Sequence, residues 1–256
     1  MRNTLKQQLK RGHLSLGTWV SIGHPDVAEV LADIGFDWLL FDMEHGPLTN
    51  ETVHPMMQAM GGSATAPLVR VARNDSWHIG QALDGGAHGV MVPLVNTAEE
   101  ARRAVAACKY PPEGTRGMGP RRATRYGRRF EEYLRSVNRE VLVVVQIETP
   151  EAIENIDAIV SVEGVDVAAI GPGDLAKTMG CFGNPRNKEY QRAFDRVLRS
   201  CERHGIVPSM AYVSKIEKAR EYIQRGFRFI GFCEDIEFLS GAAGSALAAL
   251  RSKKRR

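Results

Sequence analysis

Four stretches place acids, a base and a cation where an apolar run gives way to a loop. Trp38-Leu39-Leu40-Phe41 leads into Asp42-Met43-Glu44-His45-Gly46, so two carboxylates and an imidazole share one turn. Arg70 closes Leu68-Val69, Gln146 and Glu148 close the run from Leu142, and Val167–Ile170 opens into Gly171-Pro172-Gly173-Asp174. Glu148 and Asp174, on successive strands, can share one hard divalent cation and leave coordination positions for water and substrate oxygens. An imidazole titrates near neutrality, so His45 can exchange a proton directly or through water. Arg70 is a permanent cation with a planar donor fork, suited to a developing enolate or a carboxylate oxygen. The Gly-Pro-Gly turn lets backbone N–H groups approach a ligand carboxylate, with Gly173 adding no obstruction. Each has a plainer reading: acids as ion-pair partners or helix caps, His45 as a structural hydrogen bonder, Arg70 as the partner of Asp42 or Glu44. Chemistry is favoured because base, electrophile and charge stabiliser recur at adjoining strand ends.

The elements that must position them alternate between short β-branched runs and longer stretches of helical period, the pattern of parallel strands joined by crossover helices. Eight strands are expected, near residues 14–20, 38–42, 68–72, 89–94, 142–147, 167–170, 207–211 and 229–232. Helices are expected at 25–34, ended by Gly35, at 76–83, ended by Gly85-Gly86, and at 97–108, 187–204 and 214–224. Eight such pairs in 256 residues predict one (β/α)8 barrel spanning 1–256. A doubly wound sheet would open with a glycine-rich phosphate turn, which is missing here. A barrel carries its chemistry at the C-terminal strand ends, where these residues lie. The long segment 95–140 reads as a lid or an assembly element. The nearly uncharged stretch 238–250 is either buried in its own subunit or packed on a neighbour.

With 43% hydrophobic and 25% charged residues, the composition is that of a folded globular chain. No apolar run is long enough to span a bilayer and the first ten residues lack a secretory signal's apolar centre, so a cytoplasmic protein with no membrane partner is expected. Four scattered cysteines, without paired spacing, predict reduced thiols. The net charge of +4 partly reflects the basic tail 251–256, which is expected to be disordered. A second basic cluster, Arg116, Arg121, Arg122, Arg125, Arg128 and Arg129, could attract nucleic acid or a small anion, or be a solvated helix face.

The ordered set Gly35-Phe36-Asp37-Trp38, Asp42-Met43-Glu44-His45, Pro67-Leu68-Val69-Arg70, Tyr110-Pro111-Pro112-Glu113-Gly114-Thr115-Arg116-Gly117, Gln146-Ile147-Glu148-Thr149 and Gly171-Pro172-Gly173-Asp174-Leu175 resembles the HpcH/HpaI aldolases. These are metal-dependent class II enzymes that release pyruvate from 2-keto-3-deoxy sugar acids and other 4-hydroxy-2-oxo acids. The similarity runs collinearly from about Leu5 to Leu250. It implies a modified TIM barrel whose last helix is exchanged between subunits, commonly in a hexamer built as a trimer of dimers. By the same resemblance Glu148 and Asp174 are metal ligands for Mg²⁺, Mn²⁺ or Co²⁺, His45 the base and Arg70 the transition-state stabiliser. Gln146, Gly173, Asp174, Trp19 and Pro172 are substrate contacts. Asp84 takes the place of an acid that pairs with the catalytic histidine across a subunit interface; without the resemblance it reads as a helix-end residue. Where the family often has Asp-Leu-Ser, this chain has Asp174-Leu175-Ala176.

The resemblance implies retro-aldol cleavage. The cation polarises the 2-keto group, His45 takes the 4-hydroxyl proton, and the enolate that forms is held by metal and Arg70 before it leaves as pyruvate, with an aldehyde as the other product. Pro120–Arg129 is similar to a stretch of related members, among them macrophomate synthase, which makes a carbon–carbon bond with decarboxylation; oxaloacetate decarboxylation is thus an alternative. A Schiff-base aldolase needs a desolvated lysine at a strand end, and only the unpromising Lys177 lies near. A nucleic-acid-binding protein is the remaining alternative, without a recognised motif to support it. The rim loops Trp19–His24 and Tyr212–Lys215 are expected to set substrate specificity.

Overall fold

A computed structural model describes residues 3–252. Its elements follow one another as α1 (Thr4–Lys10), β1 (Ser15–Val20), α2 (Pro25–Ile34), β2 (Trp38–Asp42), α3 (Asn50–Ala59), β3 (Ala66–Arg70), α4 (Ser76–Asp84), β4 (Gly89–Val92) and α5 (Ala98–Cys108). A 3-10 turn (Arg122–Thr124) precedes α6 (Phe130–Glu140), β5 (Leu142–Ile147), α7 (Pro150–Glu154), α8 (Ile156–Val160), β6 (Val167–Ile170) and α9 (Pro172–Thr178). Then come α10 (Lys188–His204), β7 (Val207–Val213), α11 (Ile216–Arg225), β8 (Phe229–Glu234) and α12 (Asp235–Arg251). The strands close in chain order into a parallel barrel, β8 pairing with β1. This is the expected (β/α)8 fold, and all eight strands lie at or within a few residues of their expected positions.

Strand parity determines what the barrel encloses, because successive side chains point to opposite faces. In β2, Leu39 and Phe41 join the apolar layer beneath the helices, whereas Trp38 and Leu40 join a second cluster with Leu68, Leu142, Val144, Val167, Ala169 and Phe229. That second cluster is the barrel interior. Continuing each inward row one step brings Asp42, Arg70, Gln146 and Gly171 to the same mouth. The site is the next storey above a packed hydrophobic plug.

The other end is sealed. Trp38 stacks on Phe229 with ring centroids 4.2 Å apart, and a Cβ on Gly17 would stand 2.0 Å from the Trp38 ring, so this storey has no spare room. Leu5 and Leu9 of α1 join the same cluster. Lys6 fastens α1 as a floor, its Nζ donating to the Val141 carbonyl at 2.6 Å and to Asp166 at 2.8 Å. Burial lowers the Lys6 pKa despite Asp166, which pulls it upward.

Between Thr49 and Met60 sequence patterning gave no helix, yet α3 forms there with Pro55 inside it. Its start is a reciprocal cap in which the Thr49 and Thr52 side chains bond each other's backbone N–H. The final helix begins three residues earlier than expected, at Asp235, whose carboxylate accepts the backbone N–H of Ser21 and Ile22. Burial within its own subunit is not what α12 does: Asp235 is its only buried residue among those described, and Leu239 and Leu250 are 61% and 85% exposed. Arg251 ends this helix, and residues 253–256 of the basic tail expected to be disordered lie outside the described residues. All four cysteines are free and buried. No helix among the described residues is long and apolar enough to cross a membrane.

Candidate active site

The mouth of the barrel holds a pocket of about 440 Å³, whose wall includes Trp19, Asp42, His45, Arg70, Gln146 and Asp174. Pro172 and Gly173 line it as well, from the first turn of α9, and Ser21, Tyr212 and Glu234 complete the outer rim. Every expected substrate contact thus reaches one cavity. The rim loop expected at Tyr212–Lys215 contributes Tyr212, and the one expected at Trp19–His24 contributes Trp19 and Ser21.

Arg70 is the most constrained group in it. Its Nε and Nη2 donate to the two oxygens of Asp42 at 2.8 and 2.7 Å, a bidentate pair with both side chains almost wholly buried. The guanidinium carbon sits 4.3 Å from the centroid of the Trp19 ring, and the Trp19 Nε1 donates to the Ala211 carbonyl at 2.6 Å, which fixes that ring. Nη1 lies 3.0 Å from Glu44 Oε2 as an ion pair, outside hydrogen-bond alignment, and that buried oxygen has no hydrogen-bond partner. The plainer reading of Arg70 as the partner of Asp42 and Glu44 is therefore true, and it is what aims the fork. Burial raises the pKa of Asp42, but the hydrogen bonds and charge of Arg70 outweigh it and hold the carboxyl below its ordinary value. For Glu44 burial prevails over Arg70, and with the negative charge of Glu148 nearby its pKa rises.

Glu148 is buried behind this wall. Its Oε1 accepts the backbone N–H of Leu94 at 2.8 Å, and its Oε2 accepts Gln146 Nε2 in a short contact. Leu94 adopts a left-handed φ of 52°, unusual for a branched side chain, and the turn that imposes it aims the N–H at the carboxylate. A Cβ on Gly171 would stand 2.6 Å from Glu148 Oε2, so only glycine leaves the carboxylate its place. Burial, reinforced by the charge of Asp174, pushes the Glu148 pKa up, while Leu94, Gln146 and Arg70 oppose it. Gln146 Oε1 is buried without a partner. The buried Glu148 carboxylate, its proton affinity raised, beside the unsatisfied Gln146 amide oxygen and with Asp174 on the wall of the same pocket, forms an oxygen-rich donor set that a hard divalent cation would neutralise. Among the described residues no three His, Cys, Asp or Glu side chains gather as a fuller cage.

His45 stands at the lip, its side chain 64% exposed and its Nε2 4.0 Å from Glu44 Oε1. Asp84 is not brought to it within the chain. Its Oδ1 accepts Arg116 Nη2 at 2.6 Å, and the wholly buried Arg116 side chain also donates to Tyr133 and lies 4.6 Å from the centroid of the Tyr110 ring. Asp84 shares a separate cavity of about 340 Å³ with Met43, His54 and Arg121. Lys177, the one lysine considered for a Schiff base, is exposed on α9, and no lysine lines the pocket among the described residues.

Residues 15–241 match the sequence profile of the HpcH/HpaI aldolase/citrate lyase family. The chain belongs to this family. An Escherichia coli protein named 4-hydroxy-2-oxo-heptane-1,7-dioate aldolase is 41% identical to this HpcH/HpaI member over 251 residues, 97% of this chain and 95% of the relative. Among solved structures, an HpcH/HpaI aldolase/citrate lyase family protein from Burkholderia cenocepacia J2315 superposes with a TM-score of 0.93 at 34% identity, covering 98% of this chain and all of that one. Macrophomate synthase superposes with a TM-score of 0.85 at 26% identity, covering 96% and 89%. The resemblance read from the motifs is thus the family found by comparison, one of carbon–carbon lyases.

Sequence reasoning missed three parts of this HpcH/HpaI site. The Leu94 N–H is a backbone donor with no side-chain signature. Glu44 and Asp42 were legible only as possible partners of Arg70, not as the groups that orient it. The steric role of Gly171 depends on where Glu148 points, which a turn motif does not encode.

Proposed function

We propose that this protein is a divalent-cation-dependent aldolase that reversibly cleaves a 4-hydroxy-2-oxo acid to pyruvate and an aldehyde. The observation that carries the reading is the buried bidentate Arg70–Asp42 pair beside the unsatisfied Gln146 oxygen and the two carboxylates. The name of the E. coli relative supports it. Glu148 and Asp174 would hold the cation, which would supply Lewis-acid polarisation of the 2-oxo group.

The chain's own groups do the rest. Asp42 and Trp19 keep the Arg70 fork fixed, so its charge already faces the oxygen on which electrons accumulate and nothing must reorganise during the reaction. His45 takes the proton of the 4-hydroxyl; the C3–C4 bond breaks, C4 becomes the aldehyde carbon, and the electron pair passes to the pyruvyl fragment as its enolate. A proton delivered to C3 completes pyruvate. Gln146 and the Pro172-Gly173 turn orient the substrate carboxylate end, while Tyr212, Ser21 and Glu234 meet the aldehyde fragment.

The exposure of His45 and the burial of Arg116 under Asp84 support a further part of this reading. In a homo-oligomer, a hexamer of three dimers, Asp84 of one copy pairs with His45 of the next, and α12 covers a neighbour. An apolar cavity of about 520 Å³ lined by Val27, Val30, Ile34, Phe36, Phe238 and Leu239 offers the matching surface.

A pyruvate-release assay over several 4-hydroxy-2-oxo acids tests the activity, with chelator and with Mg²⁺, Mn²⁺ or Co²⁺ restored. Activity lost on chelation, regained with a divalent ion and absent from Glu148→Gln is expected. A covalent adduct trapped by borohydride from pyruvate, with turnover surviving chelation, would overturn the mechanism. The likeness to macrophomate synthase favours a second reading, decarboxylation of oxaloacetate. It needs no hydroxyl proton removed, so it should survive His45→Gln while aldol cleavage falls.

A further inference from the structure

The arginine cluster remains unused by this chemistry. Three of its members, Arg122, Arg125 and Arg129, line a cavity of about 430 Å³ together with Gln58, His88 and Tyr126. Arg122 spends both Nη groups on main-chain carbonyls, Gly85 at 3.2 Å and Met57 at 2.6 Å, which satisfies its hydrogen bonds and leaves its charge unbalanced. Among the described residues the one ion pair in this wall is Arg129 with Glu132, at 3.3 Å and more than half exposed on both sides. Three guanidinium groups thus face a single acid. The positive field is felt by the neighbouring His88 ring, whose pKa is pushed down to about 4 by burial and by Arg122.

The loop that presents these groups is built for a fixed shape. Arg125, Tyr126 and Gly127 are consecutively left-handed, with φ of 54°, 55° and 89°, a run that non-glycine residues avoid. Buried Thr124 clamps it: its hydroxyl donates toward the Pro120 and Arg121 carbonyls at 2.8 Å and accepts the Gly127 N–H at 3.0 Å. Tyr126 accepts a hydrogen bond from Gln58 Nε2 at 3.0 Å, tying the loop to α3 across the cavity. Backbone strain retained to hold arginines around a cavity, without matching acids, is the arrangement expected of a ligand clamp.

We propose that this cavity is a binding site for a small oxyanion of two or more negative charges, bearing phosphoryl or carboxylate groups. Guanidinium forks match such oxygens in pairs, and the volume lies in the range of small-molecule pockets. The site lies apart from the barrel mouth and shares none of its lining residues with it. Through the bond from Arg122 to the Gly85 carbonyl its occupant bears on the segment that carries Asp84.

The test uses the full-length, cation-loaded protein and inorganic phosphate, with sodium chloride of equal ionic strength as the control. Calorimetric titration and thermal shift should show saturable binding beyond the chloride effect, not competed by pyruvate. Arg125→Gln should weaken it on the order of tenfold or more, and Arg125→Lys by less, since the charge stays and the fork goes. Pyruvate-release kinetics without phosphate should be unchanged in both. Arg129→Gln serves as the second variant if Arg125→Gln does not fold. No saturable binding, equal binding by the variants, or competition by pyruvate, which would place the anion at Arg70, overturns the proposal. So does a loss of assembly mass in Arg125→Gln when the wild type binds no phosphate, because the arginines would then belong to a contact between copies.

Discussion

Replacing Asp42 by Asn tests whether Arg70 acts because it is held rather than because it is present. The carboxylate takes two hydrogen bonds from one guanidinium, at 2.8 and 2.7 Å, in a pair almost without solvent. Asn keeps the shape and one acceptor, but sets an NH2 against an N–H donor and leaves the arginine charge facing only Glu44. A hydrogen bond to a charged group contributes about 1.5–3 kcal/mol, so losing one costs about 2–3 kcal/mol. If that loss falls on transition-state stabilisation, kcat/KM for pyruvate release drops by roughly 30- to 150-fold at a tenfold change per 1.36 kcal/mol. The drop should be in kcat more than KM, because the oriented charge matters most as the enolate forms. Urea unfolding at neutral pH should show a destabilisation of similar size. The wild-type pair should itself weaken in acid: its stabilisation is present above the unfolded-state carboxyl pKa and is lost as pH falls through the lower folded value. Steady-state kinetics decide the matter, and an Asp42→Asn enzyme within threefold of wild type, at unchanged stability, would refute the idea that this pair aims the catalytic cation.

Other predictions follow from single contacts. Gly171→Ala pushes on Glu148 Oε2, where a Cβ would stand 2.6 Å away, so calorimetric Mn²⁺ affinity should fall by roughly tenfold to a hundredfold. His88 is neutral when folded, its pKa depressed to about 4, so wild-type stability should decline as pH falls from about 6.5 toward 4. The loss is at most about 3 kcal/mol for this half-buried ring, and in urea titrations His88→Gln should flatten that slope. Leu239→Asp places a charge on an apolar face that is 61% exposed in the single chain, and light scattering should show a smaller assembly with its barrel still folded. An unchanged mass would remove α12 from the subunit contact.

The barrel was legible because short continuous β-branched runs, the mark of strands buried on both faces, and glycine-terminated helices recur with little interruption. The candidate site was legible because polar residues stand at strand ends, where Arg70, Gln146 and Glu148 break apolar stretches. What escaped has a physical reason in each case. A threonine in place of the usual Glu or Gln at the third helical position, and Pro55 further on, hid α3. The partner of Asp84 is Arg116, 32 residues away, a distance at which charge pairing leaves no local pattern. Burial of α12 could not be judged from its composition, since an apolar helix reads the same whether its cover comes from its own chain or from another.

The floor of the cylinder also governs traffic. With α1, Trp38 and Phe229 closing one end, the reacting chamber is a dead-end well. On the proposed mechanism, a substrate whose carboxylate end is oriented by Gln146 would set its pyruvyl end deeper than the part destined to become aldehyde. After the bond breaks, the shallower fragment would then block the deeper one. On that mechanism departure would be sequential, aldehyde before pyruvate, and the reverse synthesis would load pyruvate first.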